Sequence, residues 1–324
     1  MRYLKKAVLV GTLVMAVLGM TGCGSGSKKA EEVNVGYFNN VTHAQALLMK
    51  SEKNLENSFG DVKVNWTAFN AGPAEVEALF AGDIDIGYIG PVPAISANVK
   101  SKGDVVILSS ATKGGAVLIR RKGSGINSAA DLSGKVVAIP QIGNTQHLNL
   151  LQLLKDNDLK PDTEGGTVKV SAVANADVAN MMERGDIDAA LVPEPWGTTL
   201  LEQGAELVLD YDEFYMEGQY DVAVVVVRKE FMENNPELVE KFIKEHEAAT
   251  AKINDNREES LKIINTELKN ATGKALGENI IAGAFERIGV STEINRESVM
   301  GFANISKEQN FINELPEENS LFAK

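Results

Sequence analysis

Gly82-Asp83-Ile84-Asp85-Ile86-Gly87-Tyr88-Ile89-Gly90-Pro91 and, 103 residues later, Gly185-Asp186-Ile187-Asp188-Ala189-Ala190-Leu191-Val192-Pro193 spell one local structure twice. Before the first copy, Val76, Leu79 and Phe80 share a helical face; before the second, Val178, Met181 and Met182 do so, with the alignment slipping by one residue. Both runs stop at a glycine, which takes the left-handed position just past a helix end without a Cβ penalty. Each then enters a short apolar strand and reaches a proline that opens the next helix or turn. Helix, tight turn, buried strand and proline stop, occurring twice, predict two similar α/β lobes in one polypeptide. Two such lobes leave a cleft between them, and clefts between domains are where small ligands bind.

Outward from these copies, strand and helix alternate with short connections, the signature of an α/β fold with largely parallel sheets. In the first series, strands are predicted over 33–38, 62–68, 84–88 and 105–111, with helices over 42–56, 73–81 and 91–99. A second series has strands over 136–139, 167–173, 189–192 and 207–209 and helices over 144–157, 177–183 and 194–203. The β-branched run 222–228 predicts a buried strand, and everything after Phe231 reads as helical. The chain is expected to leave the first lobe near 118–122 and to return near 212–220, so that lobe 1 comprises 33–119 and 221–324 and lobe 2 comprises 120–220. Two crossings make a hinge, which permits closure around a ligand; the alternative is two rigidly docked domains.

The first 22 residues read as a leader: Arg2, Lys5 and Lys6, then an apolar run from Ala7 to Met20 that is short for a bilayer span. Met20-Thr21-Gly22-Cys23 resembles the bacterial lipoprotein lipobox, with Met in place of the usual first Leu, and implies that Cys23 is acylated as the new N-terminus. The alternative is an ordinary signal peptide with an incidental cysteine. Cys23 is the one cysteine in the chain, so it has no disulfide partner. Residues 23–32 read as a flexible polar tether. The expected location is the extracytoplasmic face of the cell membrane, with membrane contact through the lipid anchor alone.

Losing the leader moves the formal charge from −13 to −16, because three bases and no acids go with it. So acidic a body argues against nucleic-acid binding, which needs a basic footprint. A body without cysteine excludes thiol nucleophiles and cysteine-bound zinc, and three histidines do not make a histidine-rich metal site. No cofactor and no Ser/His/Asp or nucleophile-elbow signature is read, so the chain is not expected to be an enzyme.

Ligands of open α/β sheets sit beyond the carboxyl ends of strands, where loops lead into helix N-termini. Five loops meet that description: Asn39-Asn40-Val41-Thr42-His43, Asn70-Ala71-Gly72-Pro73, Gly90-Pro91-Val92-Pro93, Thr112-Lys113-Gly114-Gly115 and Gln141-Ile142-Gly143-Asn144-Thr145. Unpaired N–H groups and the helix dipole make such ends anion sites; the same residues also serve as plain caps. His43 is read as a capping or packing residue or as a ligand contact, His246 as a partly buried structural histidine, and His147 as lying on the exposed start of its helix. In Pro193-Glu194-Pro195-Trp196, Glu194 pairs with a ligand ammonium or orients a donor, and Trp196 offers an apolar face; otherwise the pair is a helix-start Glu with a core Trp.

Taken together, Gly36-Tyr37-Phe38-Asn39-Asn40-Val41-Thr42-His43-Ala44, Phe69-Asn70-Ala71-Gly72-Pro73-Ala74, the 82–91 stretch and Val192-Pro193-Glu194-Pro195-Trp196 resemble the aliphatic sulfonate, taurine and nitrate branch of ABC-transporter substrate-binding proteins. The resemblance covers about 33–288. It implies the two-lobed type II periplasmic-binding-protein fold, with two mixed sheets flanked by helices and a hinge of two crossings. It implies capture of a small oxyanion and delivery to an ABC permease and its ATPase, by a monomer. Carried over loop by loop, it puts Asn39, Asn40 and His43 beside the ligand, Gly90 and Pro91 beneath it, and Thr112, Gly114 and Gly115 as donors. Gln141, Asn144 and Thr145 close from the other lobe, with Glu194 and Trp196 on one side. These loops lack arginine, which departs from a strongly clamped oxyanion. Competing readings are a carrier of nitrate, of a thiamine-precursor pyrimidine or of another heteroaromatic, a pyrimidine-synthase-like enzyme, a transcription-factor sensor lobe, and a metal carrier using His43 and Glu194.

Overall fold

Strand order shows why the repeated motif matters. The computed structural model describes residues 30–323; the leader, Cys23 and most of the tether lie outside the described residues. From the amino end run β1 (Glu32–Phe38), α1 (Ala44–Glu52), α2 (Asn54–Phe59), β2 (Lys63–Phe69), α3 (Gly72–Ala81), β3 (Ile86–Ile89), α4 (Pro91–Lys100) and β4 (Val105–Gly114). Next come β5 (Ala116–Arg120), β6 (Val136–Ile139), α5 (Thr145–Asp156), β7 (Lys169–Ala172), α6 (Val178–Arg184), β8 (Ala189–Pro193), α7 (Trp196–Glu202) and β9 (Glu206–Leu209). The chain finishes with β10 (Asp221–Arg228), α8 (Lys229–Asn234), α9 (Pro236–Asp255), α10 (Arg257–Thr272), α11 (Glu278–Glu286), β11 (Ile288–Val290), α12 (Arg296–Glu308) and α13 (Glu318–Leu321).

Two mixed sheets result, ordered β11-β4-β10-β3-β1-β2 and β7-β6-β8-β5-β9. The repeated strands β3 and β8 hold equivalent places. Each lies between a parallel neighbour (β1 or β6) and an antiparallel one (β10 or β5).

The two GDID turns make the same bonds. Gly82 (φ 79°) and Gly185 (φ 78°) end their helices in the left-handed region. Asp83 N–H then reaches back to Ala78 O, and Asp186 N–H to Met181 O, both at 2.9 Å, closing the orphan carbonyls of the last turn. The second aspartate of each copy is a clamp. Asp85 Oδ2 accepts the Asn34 N–H of β1 (2.9 Å), and its Oδ1 accepts Arg228 Nη2 of β10 (2.6 Å), whose Nε also donates to Ile84 O (3.0 Å). Asp188 does likewise: Oδ2 with Val136 N–H of β6 (3.0 Å), Oδ1 with Arg121 Nη2 after β5 (2.7 Å), and Arg121 Nε with Ile187 O (3.2 Å). One carboxylate thus ties three neighbouring strands, and an arginine's planar fork suits that geometry.

The sheets exchange chain at two places. β4 ends at Gly114 and β5 begins at Ala116, so the first crossing is at Gly115, earlier than the 118–122 read from sequence. The run Ala116–Arg120 is a strand of the second sheet, antiparallel to β8, and not a connection. Gly114 (φ 72°) and Gly115 (φ 80°) make the sharp turn there, in a backbone region that costs other residues more. The return lies in the stretch between β9 and β10. Two further departures are local: Lys53 (φ 56°) splits the expected 42–56 helix, and β11 interrupts the helical C-terminal region. Both are short or strained features that periodicity does not encode.

The Val222–Val227 stretch of β10 is buried on both faces because helices cover both sides of its sheet. One apolar cluster runs between the sheets, joining Ile89, Val92 and Ile95 to Leu118, Val137 and Leu148. The two halves therefore share apolar contact around α4, α5 and α12. On the opposite side α11 meets α7, where the site for a Cβ on Gly283 lies 3.1 Å from Thr198 Cγ2. Among the described residues, no helix is long and apolar enough to cross a membrane.

Candidate functional site

Between the sheets lies a crevice whose walls come from strand ends. From the first half it takes Phe38, Asn40, Thr42 and His43 beyond β1, Asn70 to Gly72 beyond β2, and Gly90 with Pro93 beyond β3. From the second it takes Pro140 and Asn144 to Gln146 beyond β6, Asn175 beyond β7, and Pro193 at the end of β8. This is the carboxyl edge of both sheets, where the turn into each helix leaves amides facing outward. The free space is about 30 Å³, room for a water or two by that measure. A solute of several heavy atoms enters only if the halves separate.

No lining residue of this crevice carries a full charge. Its polar groups are the amides of Asn40, Asn70, Asn144, Gln146 and Asn175, the hydroxyls of Thr42 and Thr145, and His43. Burial drives the His43 pKa down to about 3, so the ring is neutral. Its Nδ1 accepts the Phe38 N–H at 3.1 Å, which leaves the ring proton on Nε2. Phe38 stacks on the imidazole at 4.3 Å and fixes the ring plane. Asn144 caps α5 by accepting the His147 N–H at 2.8 Å. The first amides of α5 consequently face the crevice with the positive end of the helix dipole behind them.

Thr145 is the key contact across the gap. It is 2% exposed, and its Oγ1 has no hydrogen-bond partner among the described residues. It presses against the backbone of Gly90 in the facing half: a Cβ at position 90 would lie 2.5 Å from Thr145 Oγ1. A buried hydroxyl without a partner costs about 1–3 kcal/mol, and an acceptor in the crevice removes that cost.

Of the residues singled out from sequence, Asn40, His43, Gly90, Asn144 and Thr145 meet in this crevice. Asn39 and Trp196 line an adjoining chamber between α7, α10 and α11. The others stand outside both walls. Pro91 starts α4 directly behind Gly90. Thr112 Oγ1 donates to Thr42 O at 2.8 Å and braces the first loop from beneath. Gly114 and Gly115 form the crossing, and Gly115 O accepts the Glu194 N–H at 2.8 Å. Gln141 contributes its carbonyl to the Asn144 N–H at 3.3 Å.

Glu194 is fully buried and engaged elsewhere. Its Oε2 accepts the Thr198 N–H at 3.0 Å, and Arg287 Nη1 lies 3.6 Å from Oε1. Burial raises its pKa, while the Thr198 bonds and Arg287 act the other way. Arg287 also donates to Asp210 (2.7 Å) and to Thr198 Oγ1 (3.2 Å), so one cation joins the end of α11 to the second half. His147 is buried against Phe311 (ring centroids 5.1 Å apart), not at an exposed helix start. His246 is wholly buried, with Tyr88 Oη at 2.7 Å from Nδ1 and Ser110 O at 2.8 Å from Nε2. Among the described residues, no group of three or more His, Cys, Asp or Glu is placed to hold a metal.

Asn70 belongs to one of the five loops read as candidate ligand contacts, whereas Gln146 and Asn175 were not singled out. Asn175 sits between β7 and α6, at the same kind of strand end as the others, and the strand-end rule applied to that connection finds it. Pro193 ends the repeated strand β8 and is reached by the same rule; Val222, inside β10, carries no such signal.

A model of the NMT1-like family matches residues 26–265. The taurine-binding periplasmic protein of Escherichia coli (strain K12) is 31% identical over 217 residues, which are 67% of this chain and 65% of that protein, so the match spans under two thirds of the relative's length. Among solved structures, the alkanesulfonate-binding protein SsuA from Xanthomonas axonopodis pv. citri bound to MOPS superposes with TM-score 0.76 at 20% identity, over 91% of this chain and 99% of that one. The periplasmic aliphatic sulphonate binding protein SsuA from Escherichia coli does so with TM-score 0.72 at 22% identity, over 91% and 93%. The two mixed sheets and their helices thus share the fold of those two proteins.

Proposed function

This chain belongs to the NMT1-like family, and on that premise we propose that it is the extracytoplasmic solute-binding component of an ABC importer, not an enzyme. It captures a small sulfonate-class oxyanion between two lobes and hands it to the permease and its ATPase. Its similarity to a taurine-binding periplasmic protein and to two sulfonate-binding structures supports this role. The observation that carries it is the crevice itself: strand ends and helix N-termini from both halves converge on a space whose polar lining is uncharged, with the Thr145 hydroxyl buried and unpaired.

Neutral donors suit an anion that must be released again. Each hydrogen bond to a charged acceptor contributes about 1.5–3 kcal/mol net, and a dissociation constant near 1 μM corresponds to about 8 kcal/mol. Four such bonds, from candidates such as Asn40, His43, Asn144 and Thr145, reach that range without a salt bridge. We assign lobe 1 to 33–115 with 221–324 and lobe 2 to 116–220, hinged at the two crossings. Ligand closure then turns Thr145 onto the bound oxyanion. Cleavage of 1–22, acylation of Cys23 (palmitate among the acyl groups) and the tether complete the reading: a monomer anchored by lipid on the extracytoplasmic face of the membrane.

Calorimetry against taurine, short alkanesulfonates, nitrate and sulfate tests it. One or more sulfonates binding with saturable heat is the expected outcome. Silence toward every oxyanion refutes the proposal.

A further inference from the structure

We propose that the chamber beside the crevice receives the organic part of the solute, and that it selects sulfonates with an uncharged apolar tail over amino-bearing ones such as taurine. The inference rests on the solute-binding reading above and narrows it.

The chamber measures about 350 Å³, within the size range of small-molecule sites, about 300–1,000 Å³. Its walls are the indole of Trp196 and Leu200 on α7, Leu268 on α10, Leu276 in the following loop and Ile280 on α11. The two halves build it jointly, so it is complete only while they are together. It adjoins the crevice: Asn175 lines both, and Asn39 is next in sequence to the crevice residue Asn40. Among the described residues, the side-chain oxygens of Asn39 and Asn175 are buried without a partner. A polar head in the crevice and an apolar tail in the chamber are therefore adjacent.

The chamber discriminates by charge. Lys274 is the one ionisable residue among the described residues that line it. No carboxylate faces it: Glu194, the sequence's candidate for pairing with an ammonium, is absent from its wall and is held by Thr198 and Arg287. An ammonium entering there finds no counter-charge and meets Lys274, with only the neutral amide oxygens of Asn39 and Asn175 as buried, unpartnered acceptors among the described residues that line it. An alkyl chain entering the same space is removed from water against indole and leucine.

The test is calorimetry of the whole mature chain with linear alkanesulfonates from methanesulfonate to octanesulfonate, and with taurine beside its isostere propane-1-sulfonate. Affinity is expected to climb about three- to fourfold per added methylene until the chamber fills. Taurine is expected to bind at least about tenfold more weakly than propane-1-sulfonate. In a second arm, Ile280→Asp places a carboxylate on the wall, and the ratio of the two affinities should move toward taurine. A flat chain-length series with taurine at least as tight as propane-1-sulfonate overturns this inference and leaves the solute-binding role intact. Absence of binding by every sulfonate overturns both. The wild-type series decides the matter whether or not the variant folds.

Discussion

Replacing Thr145 by Val separates ligand binding from closure. Valine has nearly the shape of threonine, so the packing against Gly90 survives, and the helix cap belongs to Asn144 and is untouched. What disappears is a hydroxyl that is 2% exposed and has no partner in the closed crevice. With a bound oxyanion, the lost hydrogen bond to a charged acceptor weakens binding by about 1.5–3 kcal/mol, roughly tenfold to a hundredfold in Kd. Without ligand the effect reverses: closing the empty wild-type crevice dehydrates the hydroxyl for nothing, at about 1–3 kcal/mol, and the variant escapes that cost. The variant should therefore bind ethanesulfonate more weakly and yet sample the closed form more often when empty. Calorimetry measures the first effect, and distance measurements between labels on α3 and α6 measure the second. Thr145→Ser serves as the control that keeps the hydroxyl. Unchanged affinity, or an empty variant more open than wild type, refutes the reasoning.

The two GDID clamps differ in exposure, which sets an ordering. Asp85→Ala strands a partner of a carboxylate whose side chain is 6% exposed and should cost about 3 kcal/mol in urea unfolding; Asp188→Ala, at 19%, should cost clearly less, and equal losses would discredit the exposure argument. His43, His147 and His246 are buried with pKa values lowered to about 3, about 4 and about 4, so their contribution to stability is complete above the unfolded pKa and is lost as pH falls from about 6.5 toward 4, with a slope of about 4 kcal/mol per pH unit when all three count. Thermal unfolding across pH 4–8 checks this, and sulfonate affinity should stay flat from pH 6 to 8 because His43 remains neutral. Glu194→Gln should weaken taurine and ethanesulfonate equally while lowering stability by about 1 kcal/mol, since glutamine keeps an acceptor for the Thr198 N–H and Arg287 keeps Asp210; a loss confined to taurine would return Glu194 to the ligand. Glu75 is fully buried, both its oxygens lack a hydrogen-bond partner among the described residues, and burial raises its pKa well above the ordinary value. Its stability contribution is whole below the unfolded pKa and lost as pH rises through the folded one, so the advantage of Glu75→Gln should grow with pH in denaturant titrations.

The site was legible wherever its residues sat on a strand end that the pattern exposed. Asn40, His43, Gly90, Asn144 and Thr145 follow loops bounded by apolar strands and helix signals, and all five converge. Glu194 and Thr112 were found by the same rule yet face other partners. A strand-end position constrains where the backbone is, but the direction of a side chain there depends on which neighbour claims it, and Arg287 is 93 residues from Glu194. Trp196 was read as apolar cover for the ligand; the packing of α7 against α11 places it in the wall of the chamber beside the crevice.

Sequence alone determined the duplicated helix–turn–strand unit, the two α/β halves and the uncharged chemistry of the loops. These follow from local periodicity, from glycine's access to positive φ and from residue type, each encoded within a dozen neighbours. The tertiary structure alone decided that β5 belongs to the second sheet, that Asp85 and Asp188 clamp three strands apiece, that Thr145 is pressed on Gly90, and that an apolar chamber adjoins the polar crevice at Asn175. Those features join residues distant in the chain, and long-range contacts are selected by packing and by the cost of burying an unpaired polar group, which no local pattern records.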